Sequence, residues 1–323
     1  MLSVKKSFAV AALTALVTLS SSVQAERLRL GHVTPPTHIW HQVSERFNEN
    51  LQRESAGEHS INIFPLSQLG GDDQMIALLQ SGGIQLAVLT AGSLANRSEA
   101  MNAWFLPGIF EDVEAAAVAT ESPIAQKLLD DLQDQRLVGL GYTLAGMRHV
   151  LSTRPMNSVE DFHNKKIRSF PNKLYNDWWS ALGAAPTALA IGDVSSALTT
   201  NLLDAVDVDL DIVVGLRMYQ QAPHLTLTNH MAFPGVVVAS KRWWDSLDDD
   251  YRAMVMRSFK EAEAWGFKQQ AEAELSNLAF LQEQGVNIAE FDVTELEPVI
   301  KQITETYTTG NADIQMFYDQ QAR

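Results

Sequence analysis

Strand-like and helix-like hydrophobic patterns alternate along residues 27–89. Charged and apolar side chains alternate over residues 27–31, and apolar residues then recur at helical spacing over residues 40–51. Apolar runs at residues 61–64 and 84–89 predict two further strands, with a short helix at residues 75–79 between them. This order is typical of an α/β layer with mainly parallel strands, whose loops at the strand C-termini are the natural place for a small ligand.

The remainder of the chain continues to mix the two kinds of pattern. One long helix is predicted from about Val113 to Leu132, and another from Leu247 to Gln284, where Gly266 allows a bend. A helix of the second length can run across two lobes. The other predicted elements are strands at residues 137–140, 150–152, 166–170, 202–209 and 235–240, and helices at residues 172–182 and 194–201. No flexible linker interrupts the sequence, which favours lobes joined by more than one crossing of the chain.

Residues 1–25 have the pattern of a secretory signal peptide. Lys5 and Lys6 precede an apolar run at residues 8–17, and the small side chain of Ala25 suits a signal peptidase. The apolar run is too short to cross about 30 Å of hydrocarbon as a stable anchor. We therefore expect cleavage after Ala25 and export from the cytoplasm, with an uncleaved N-terminal anchor as the alternative.

Composition and charge narrow the classes of function. The 323 residues are 46% apolar, include no cysteine and carry 39 acidic against 24 basic side chains, a formal net charge of -15. A chain of this length can bury about 75% of the surface that it exposes when unfolded, which is enough for two lobes. The negative field repels phosphate backbones and anionic lipids, so nucleic acid is a poor candidate partner. Without cysteine, the exported chain is indifferent to the redox state of its surroundings.

Signatures of catalysis and of metal binding are weak. The sequence has no Gly-x-Ser-x-Gly elbow, no Gly-rich dinucleotide or phosphate loop and no cysteine nucleophile. His38 and His41, with His32 just before them, have a spacing that can serve a metal, but helix-face and loop histidines are commoner. The alternating aspartates of residues 207–211 resemble a carboxylate set for a divalent cation, yet they would need further oxygen ligands. We therefore predict no metal site and no cofactor.

Two arginines are better candidates for binding an anion. Arg168 lies in the strand-like segment 165–170, which runs into Pro171 and must leave the sheet there. An arginine at a strand end faces a cleft, and its planar fork can hold a carboxylate through two parallel charge-assisted hydrogen bonds. Arg148, at the start of another strand, can lie close to it. An ordinary surface salt bridge is the alternative for each.

Six short motifs occur in a characteristic order and spacing. They are FPLSQLGGDDQM at residues 64–75, LPGIF at 106–110, GMR at 146–148, NSVEDFHNKKIR at 157–168, LGAAP at 182–186 and TNH at 228–230. Each motif is weak alone, but the set is strong. Together they resemble the periplasmic solute-binding subunits of tripartite ATP-independent periplasmic (TRAP) transporters, the DctP family, over nearly the whole mature chain.

The resemblance implies an extracytoplasmic receptor with the two-lobed α/β fold of periplasmic binding proteins. The lobes would be joined by several crossings, braced by a long helix, and would close over one small organic anion. Residues 26–145 and 234–273 would form lobe I, and residues 146–233 and 274–323 lobe II. The implied location is the periplasm, the implied partners are a small and a large membrane subunit of the transporter, and such a shuttle is usually a monomer.

The resemblance also assigns roles to residues. In the family, the arginine of the Lys-Ile-Arg motif grips the ligand carboxylate and the arginine of the Gly-x-Arg motif assists, which match Arg168 and Arg148. Thr90, at the end of the third predicted strand, falls where the first lobe usually contacts the rest of the ligand. The loop from His32 to His38 falls there too.

The sequence departs from the family at residues 205–208. The family pattern is Gly, any residue, Glu and Asn, with the Asn often bonded to the carboxylate, whereas this chain has Ala, Val, Asp and Val. Val208 cannot donate a hydrogen bond, so a second clamp requires Asp207 or Asp209 to turn inward. An inward aspartate accepts hydrogen bonds, which suits the hydroxyl groups of a sugar acid or an ammonium group better than a second carboxylate. A sugar acid, another hydroxy acid and a dicarboxylate are the candidate ligands.

Two other functions remain open from the sequence. A binding protein that feeds an ATP-driven importer or a sensor would share the two-lobed architecture. An exported enzyme acting on an organic acid would use Arg168 as substrate anchor and Asp207 or a histidine as base, and it would turn its ligand over. The absence of catalytic motifs favours a receptor that is not an enzyme.

Overall fold

Two separate β-sheets organise the computed structural model of the protein, which describes residues 26–321. The predicted signal peptide and its cleavage after Ala25 lie outside the described residues. The strands are β1 (Glu26–Gly31), β2 (His59–Phe64), β3 (Leu86–Thr90), β4 (Leu137–Met147), β5 (His149–Ser152), β6 (Lys166–Ser169), β7 (Ala185–Ala188), β8 (Ala205–Val208), β9 (His224–Leu227), β10 (Ala232–Ser240) and β11 (Asn287–Glu290). The α-helices are α1 (Ile39–Glu54), α2 (Asp72–Ser81), α3 (Ala91–Ala95), α4 (Val113–Ala119), α5 (Pro123–Asp130), α6 (Lys173–Ala181), α7 (Val194–Thr199), α8 (Leu210–Gly215), α9 (Lys241–Trp244), α10 (Asp249–Glu283), α11 (Glu297–Gly310) and α12 (Ala312–Gln321).

Each sheet is mainly parallel with one strand reversed. The first sheet has the order β2-β1-β3-β10-β4, in which β10 runs antiparallel to both neighbours. The second sheet has the order β11-β9-β5-β8-β6-β7, in which β5 is the reversed strand. We call the part of the chain around the first sheet lobe I and the part around the second lobe II. The predicted fold class, two α/β lobes with a long helix, is confirmed.

The two reversed strands, β5 and β10, are each the first strand after the chain passes from one lobe to the other. Strand β4 ends in the first sheet at Met147 and β5 begins in the second at His149, so Arg148 alone joins them. Residues 228–231 return the chain from β9 to β10. These two crossing segments pair with each other, because the Arg148 N–H donates to the Met231 carbonyl at 2.8 Å. The lobes therefore meet at a short two-stranded ribbon.

A third connection is the 35-residue helix α10, which leads from lobe I to β11. The Asp248 side chain caps its start by accepting from the Tyr251 N–H at 2.7 Å. The helix packs on α1 and β4 in lobe I and on α8 in lobe II. Gly266 serves close packing in a continuous helix, because a Cβ there would lie 2.4 Å from Val43 Cγ2 of α1. This close approach, and not a bend, explains the glycine.

The prediction of one continuous helix from Val113 to Leu132 is wrong. The segment forms α4 and α5, separated at residues 120–122. Pro123 has no N–H to continue a helix, and it occupies the first turn of α5, where that N–H would have no partner in any case. The Ser122 hydroxyl accepts from the Ala125 N–H at 3.2 Å and fixes the new start.

The last helix differs from its predicted lobe assignment. Residues 274–323 were expected in lobe II, and α11 does pack on α6 there. Helix α12, however, packs on α5 in lobe I, where Phe317 contacts Trp104 with ring centroids 4.8 Å apart. The chain thus crosses back once more, because the apolar face of α12 finds its aromatic partners on the first lobe.

Replacing Gly266 by alanine should destabilise the protein. Alanine in a helix normally gains about 1 kcal/mol over glycine, but here the added methyl must displace Val43, an overpacking cost of about 1–3 kcal/mol. We expect Gly266→Ala to lower the midpoint of thermal unfolding by at least about 2 °C. Gly310→Ala is the matched control, since nothing lies within 4 Å of a Cβ at that helical site. Equal midpoints for the two variants would contradict the packing role.

Candidate functional site

A cavity of about 250 Å³ lies between the two lobes. Its walls combine residues of lobe I with residues of lobe II, and they include a polar set from each side. Of the seven residues predicted to bind ligand, five line it: Arg168, Arg148, Asp209, Thr90 and His38. Asp207 and His32 do not line it and contact residues that do.

Arg168 is buried at the cavity wall without a carboxylate partner among the described residues. It lies on β6, between β7 and β8, and its side chain is only 3% exposed. Its Nε donates to the Leu189 carbonyl at 2.9 Å, which leaves the two Nη groups as an end-on fork. Burial, reinforced by repulsion from Arg148, lowers the pKa of Arg168 to about 10. The group stays charged at neutral pH, and an anion in the cavity would relieve both penalties.

Arg148 is held by the end of β8. Its Nε donates to Asp207 Oδ1 at 2.5 Å and its Nη1 to Asp209 Oδ2 at 2.9 Å, while Nη2 donates to the Asp207 carbonyl. The guanidinium also lies over the Phe233 ring, 4.2 Å from its centroid. Burial alone would lower the pKa of Arg148, but the attraction of Asp207 and Asp209 raises it. Its position is therefore fixed by protein groups.

The Asp207 carboxylate is fully engaged. Its second oxygen accepts from Trp179 Nε1 at 3.0 Å and lies 3.2 Å from His230 Nε2. Burial opposes its charge, but Arg148 and His230 hold its pKa well below the usual range. An inward-facing Asp207 that accepts from the ligand was one expectation from the sequence; the structure instead directs this carboxylate at the protein's own donors.

Asp209 and Val208 complete the end of β8. Asp209 caps α8, accepting from the Ile212 N–H at 2.9 Å, and it also lines the cavity. Val208 points to the opposite face and packs with Leu151 and Leu225 in the core of lobe II. The position where the family has an asparagine thus supplies no hydrogen-bond donor to the cavity.

The histidines stand on the lobe I side. His38 Nδ1 accepts from the Trp40 N–H, so the neutral ring carries its proton on Nε2, which lies 3.7 Å from Asp209 Oδ1. His32 does not line the cavity itself. Its two ring nitrogens lie 2.9 Å from His41 Nδ1 and from Thr34 Oγ1. Burial lowers the pKa of His32 to about 3, so it is neutral. No cluster of three metal-ligating side chains occurs among residues 26–321.

Sequence reasoning missed several residues of the wall. Thr90 does line the cavity, but its hydroxyl donates to Asp72 Oδ2 at 2.5 Å, and Asp72 also lines it. Phe170 and Phe233 supply apolar surface beside the arginines. The sequence did contain a signal for Asp72. This residue follows two glycines and begins a helix, and a turn of this kind allows the backbone to approach a strand end closely. The phenylalanines gave none, because apolar strand residues are usually core.

The sequence model of the family described as bacterial extracellular solute-binding protein, family 7 (DctP), matches residues 30–313. Among named relatives, the 2,3-diketo-L-gulonate-binding periplasmic protein YiaO of Escherichia coli strain K12 is 28% identical over 279 residues, covering 86% of this chain and 84% of that protein. None of the helices within residues 26–321 combines the length and apolar character that crossing a membrane requires.

Solved structures share the fold. The sugar acid binding protein DctPAm of Advenella mimigardefordensis, in complex with galactonate, has a TM-score of 0.87 at 24% identity, covering 93% of this chain and 98% of that chain. A TRAP periplasmic solute binding protein of Xanthobacter autotrophicus Py2 with bound β-D-galacturonate has a TM-score of 0.86 at 24% identity, covering 91% and 98%. The two-lobed architecture is common to all three chains.

A partly buried acid on α10, Glu274, lies next to the crossing at Arg148. Glu274 Oε1 accepts from the Met147 N–H at 3.2 Å and from Gln270 Nε2 at 3.2 Å. Gly146 makes room for it, because a Cβ there would collide with the carboxylate. Burial raises the pKa of Glu274 to about 8. The folded protein therefore holds a proton here that the unfolded chain releases.

Replacing Glu274 by glutamine should flatten the pH dependence of stability. In the unfolded chain Glu274 ionises near 4.5, whereas in the folded protein it does so near 8. The unfolded state loses the proton first, so the wild-type free energy of unfolding falls as pH rises through this window. Glu274→Gln should gain stability relative to wild type between about pH 5 and pH 8, measured by urea unfolding at each pH.

Glu272→Gln is the matched control, since Glu272 lies exposed one half-turn earlier on the same helix. Its stability should follow the wild-type pH curve. Parallel curves for Glu274→Gln and wild type would show that Glu274 ionises alike in both states.

Proposed function

The chain belongs to family 7 of the bacterial extracellular solute-binding proteins, and we propose that it serves as the receptor subunit of a TRAP transporter for a sugar acid. The observation that carries this proposal is Arg168, a buried guanidinium on the wall of an interlobe cavity whose two Nη groups have no carboxylate partner among residues 26–321. A carboxylate bound there replaces its hydration with two parallel charge-assisted hydrogen bonds. Such bonds contribute about 1.5–3 kcal/mol each.

The groups next to Arg168 favour binding of a carboxylate by its guanidinium. Arg148 is held in place by its ion pairs with Asp207 and Asp209, which compensate its positive charge. Its remaining N–H groups can assist the same carboxylate, as the sequence resemblance implies. The apolar rings of Phe170 and Phe233 exclude water around the pair, which strengthens the charge interaction.

The ligand class follows from the polar side chains of lobe I. Thr34, Asp72 and Ser93 line the cavity, and polar side chains of this kind suit the hydroxyl groups of a sugar acid or another hydroxy acid. The names of three relatives record 2,3-diketo-L-gulonate, galactonate and galacturonate as ligands, whereas two other relatives are named for binding C4-dicarboxylates. A plain dicarboxylate has no hydroxyl to offer these acceptors.

The biological setting is proposed from the same family membership. Cleavage after Ala25 would release the receptor into the periplasm as a monomer that delivers its ligand to a small and a large membrane subunit. The receptor returns its ligand unchanged: Asp207, the carboxylate that a catalytic role would use as base, has its oxygens engaged by Arg148, Trp179 and His230.

Ligand identity is tested most directly by mass spectrometry of small molecules released from freshly purified protein. A thermal shift screen against aldonates, uronates, dicarboxylates and amino acids then ranks them. We expect a sugar acid to raise the unfolding midpoint most. A response to succinate-like acids alone, or consumption of the ligand on incubation, would contradict the proposal.

Replacing Arg168 by lysine should weaken ligand binding at least tenfold, equivalent to about 1.4 kcal/mol. Lysine retains the charge but cannot form the two parallel hydrogen bonds. Isothermal titration calorimetry with the best ligand of the screen measures the effect. Arg154→Lys, at an exposed site in the same lobe, should bind like wild type. Unchanged affinity of Arg168→Lys would remove Arg168 from the site.

A further inference from the structure

The start of helix α1 in lobe I is completed by a side chain of lobe II. The first N–H groups of a helix have no partner inside the helix. His38 accepts from one of them, the Trp40 N–H, at 3.1 Å. Asp211, in the first turn of α8, accepts from another, the Ile39 N–H, at 3.0 Å. Ile39 is 2% exposed and Asp211 7%, so the bond between the lobes is shielded from solvent.

The contact between Asp211 and α1 also matches charge. The N-terminus of an α-helix carries partial positive charge, which favours an acidic group beside it. Helix α1 has no acidic residue in its own first turn, and Asp211 supplies one from 172 residues further along the chain. Burial raises the pKa of Asp211. A protonated carboxyl group keeps its carbonyl oxygen as an acceptor, so the bond to Ile39 is available in either charge state.

Asp211 is held in position from its other side. Asn277 Nδ2 on α10 donates to Asp211 Oδ1 at 2.5 Å, while Oδ2 is the oxygen that accepts from the start of α1. One turn further along α8, Gly215 lies against the loop before α1, because a Cβ there would be only 2.7 Å from Thr37 Oγ1. Helix α8 of lobe II therefore fits closely against lobe I at more than one point.

The bond between Asp211 and Ile39 joins the lobes beside the cavity. Asp211 does not line the cavity, whereas its chain neighbours on both sides of the bond, Asp209 and His38, do. A rotation that separates the lobes at this place breaks the bond, and closure restores it. The free energy of the bond therefore favours the closed arrangement without involving any group of the ligand.

We propose that Asp211 is a positioning residue that caps α1 across the cleft and thereby stabilises the closed arrangement of the lobes around a bound ligand. It acts through the Ile39 N–H and so places His38, the preceding residue, at the cavity wall. The apparent affinity of a receptor depends on how readily its binding-competent state forms. Loss of the contact therefore weakens every ligand that requires closure by the same factor. The inference rests on the proposed receptor function and adds to it a residue outside the ligand cavity.

The test compares Asp211→Ala with wild type, with galactonate and galacturonate as probes in isothermal titration calorimetry. We expect the variant to bind each acid at least fivefold more weakly, by factors that agree within twofold, because the lost bond is not to the ligand. Stopped-flow fluorescence, for which Trp40 at the cavity wall is a reporter, should assign most of the loss to faster dissociation. A bound ligand leaves only after the lobes open.

Asp248→Ala is the matched control, because Asp248 also accepts from a helix N–H, that of Tyr251 at 2.7 Å, but within lobe I. Loss of this cap lowers stability and should leave the dissociation constants at wild-type values. Asp211→Asn keeps one acceptor oxygen, so its affinities should lie between those of Asp211→Ala and wild type, at least twofold below the latter. Should Asp211→Ala fail to fold, Asp211→Asn decides, and wild-type affinities of that variant overturn the inference.

The outcomes separate this inference from the proposed function. A wild-type protein that binds neither acid rules out both. A wild-type protein that binds an acid with an affinity that Asp211→Ala leaves unchanged keeps the receptor role and removes only the role of Asp211. A loss confined to one of two bound acids also overturns the inference, since it would make Asp211 a ligand contact.

Discussion

The rest of the structure depends on the buried ion pair between Arg148 and Asp207. Arg148 is the one residue between β4 and β5, and Asp207 lies on β8, the strand next to β5, so the pair fixes the crossing against the lobe that it enters. A buried charge whose partner is removed typically costs about 3–5 kcal/mol, which makes both residues structurally demanding. Trp179 and His230 occupy the remaining oxygen, and they bring α6 and the return crossing to the same point.

This arrangement divides two similar side chains between two tasks. Arg148 and Arg168 repel one another, and both lie out of water, yet the carboxylates of β8 contact only the first directly. Arg168 donates from Nε to a single carbonyl, that of Leu189, and it lines the cavity. The protein thus satisfies the arginine that holds the lobes together and leaves the other one in need of an anion, which concentrates affinity at one place.

Most of the architecture could be predicted from local patterns. The predictions that were missed have physical causes. Period-two and helical patterns located most strands and helices because each buries one face, and the residue-level motifs placed Arg168 and Thr90 at strand ends. The break at Pro123 was overlooked because the apolar spacing continues across it. The partners of Asp207 are set by tertiary contacts with Trp179 and His230, far away in sequence, so no local pattern reported that its oxygens are taken. The ligand roles of the site residues stay predictions.

The single-residue junction at Arg148 has a mechanical consequence. Arg148 is joined directly to β4 on one side and to β5 on the other, and it is hydrogen-bonded to the return segment at Met231. The junction is therefore too short for the lobes to slide past each other. A junction this short favours rotation of one lobe against the other about Arg148 over sliding. An insertion or deletion at Arg148 would change the register of β4 in one sheet relative to β5 in the other. The length of this junction is therefore constrained by both sheets.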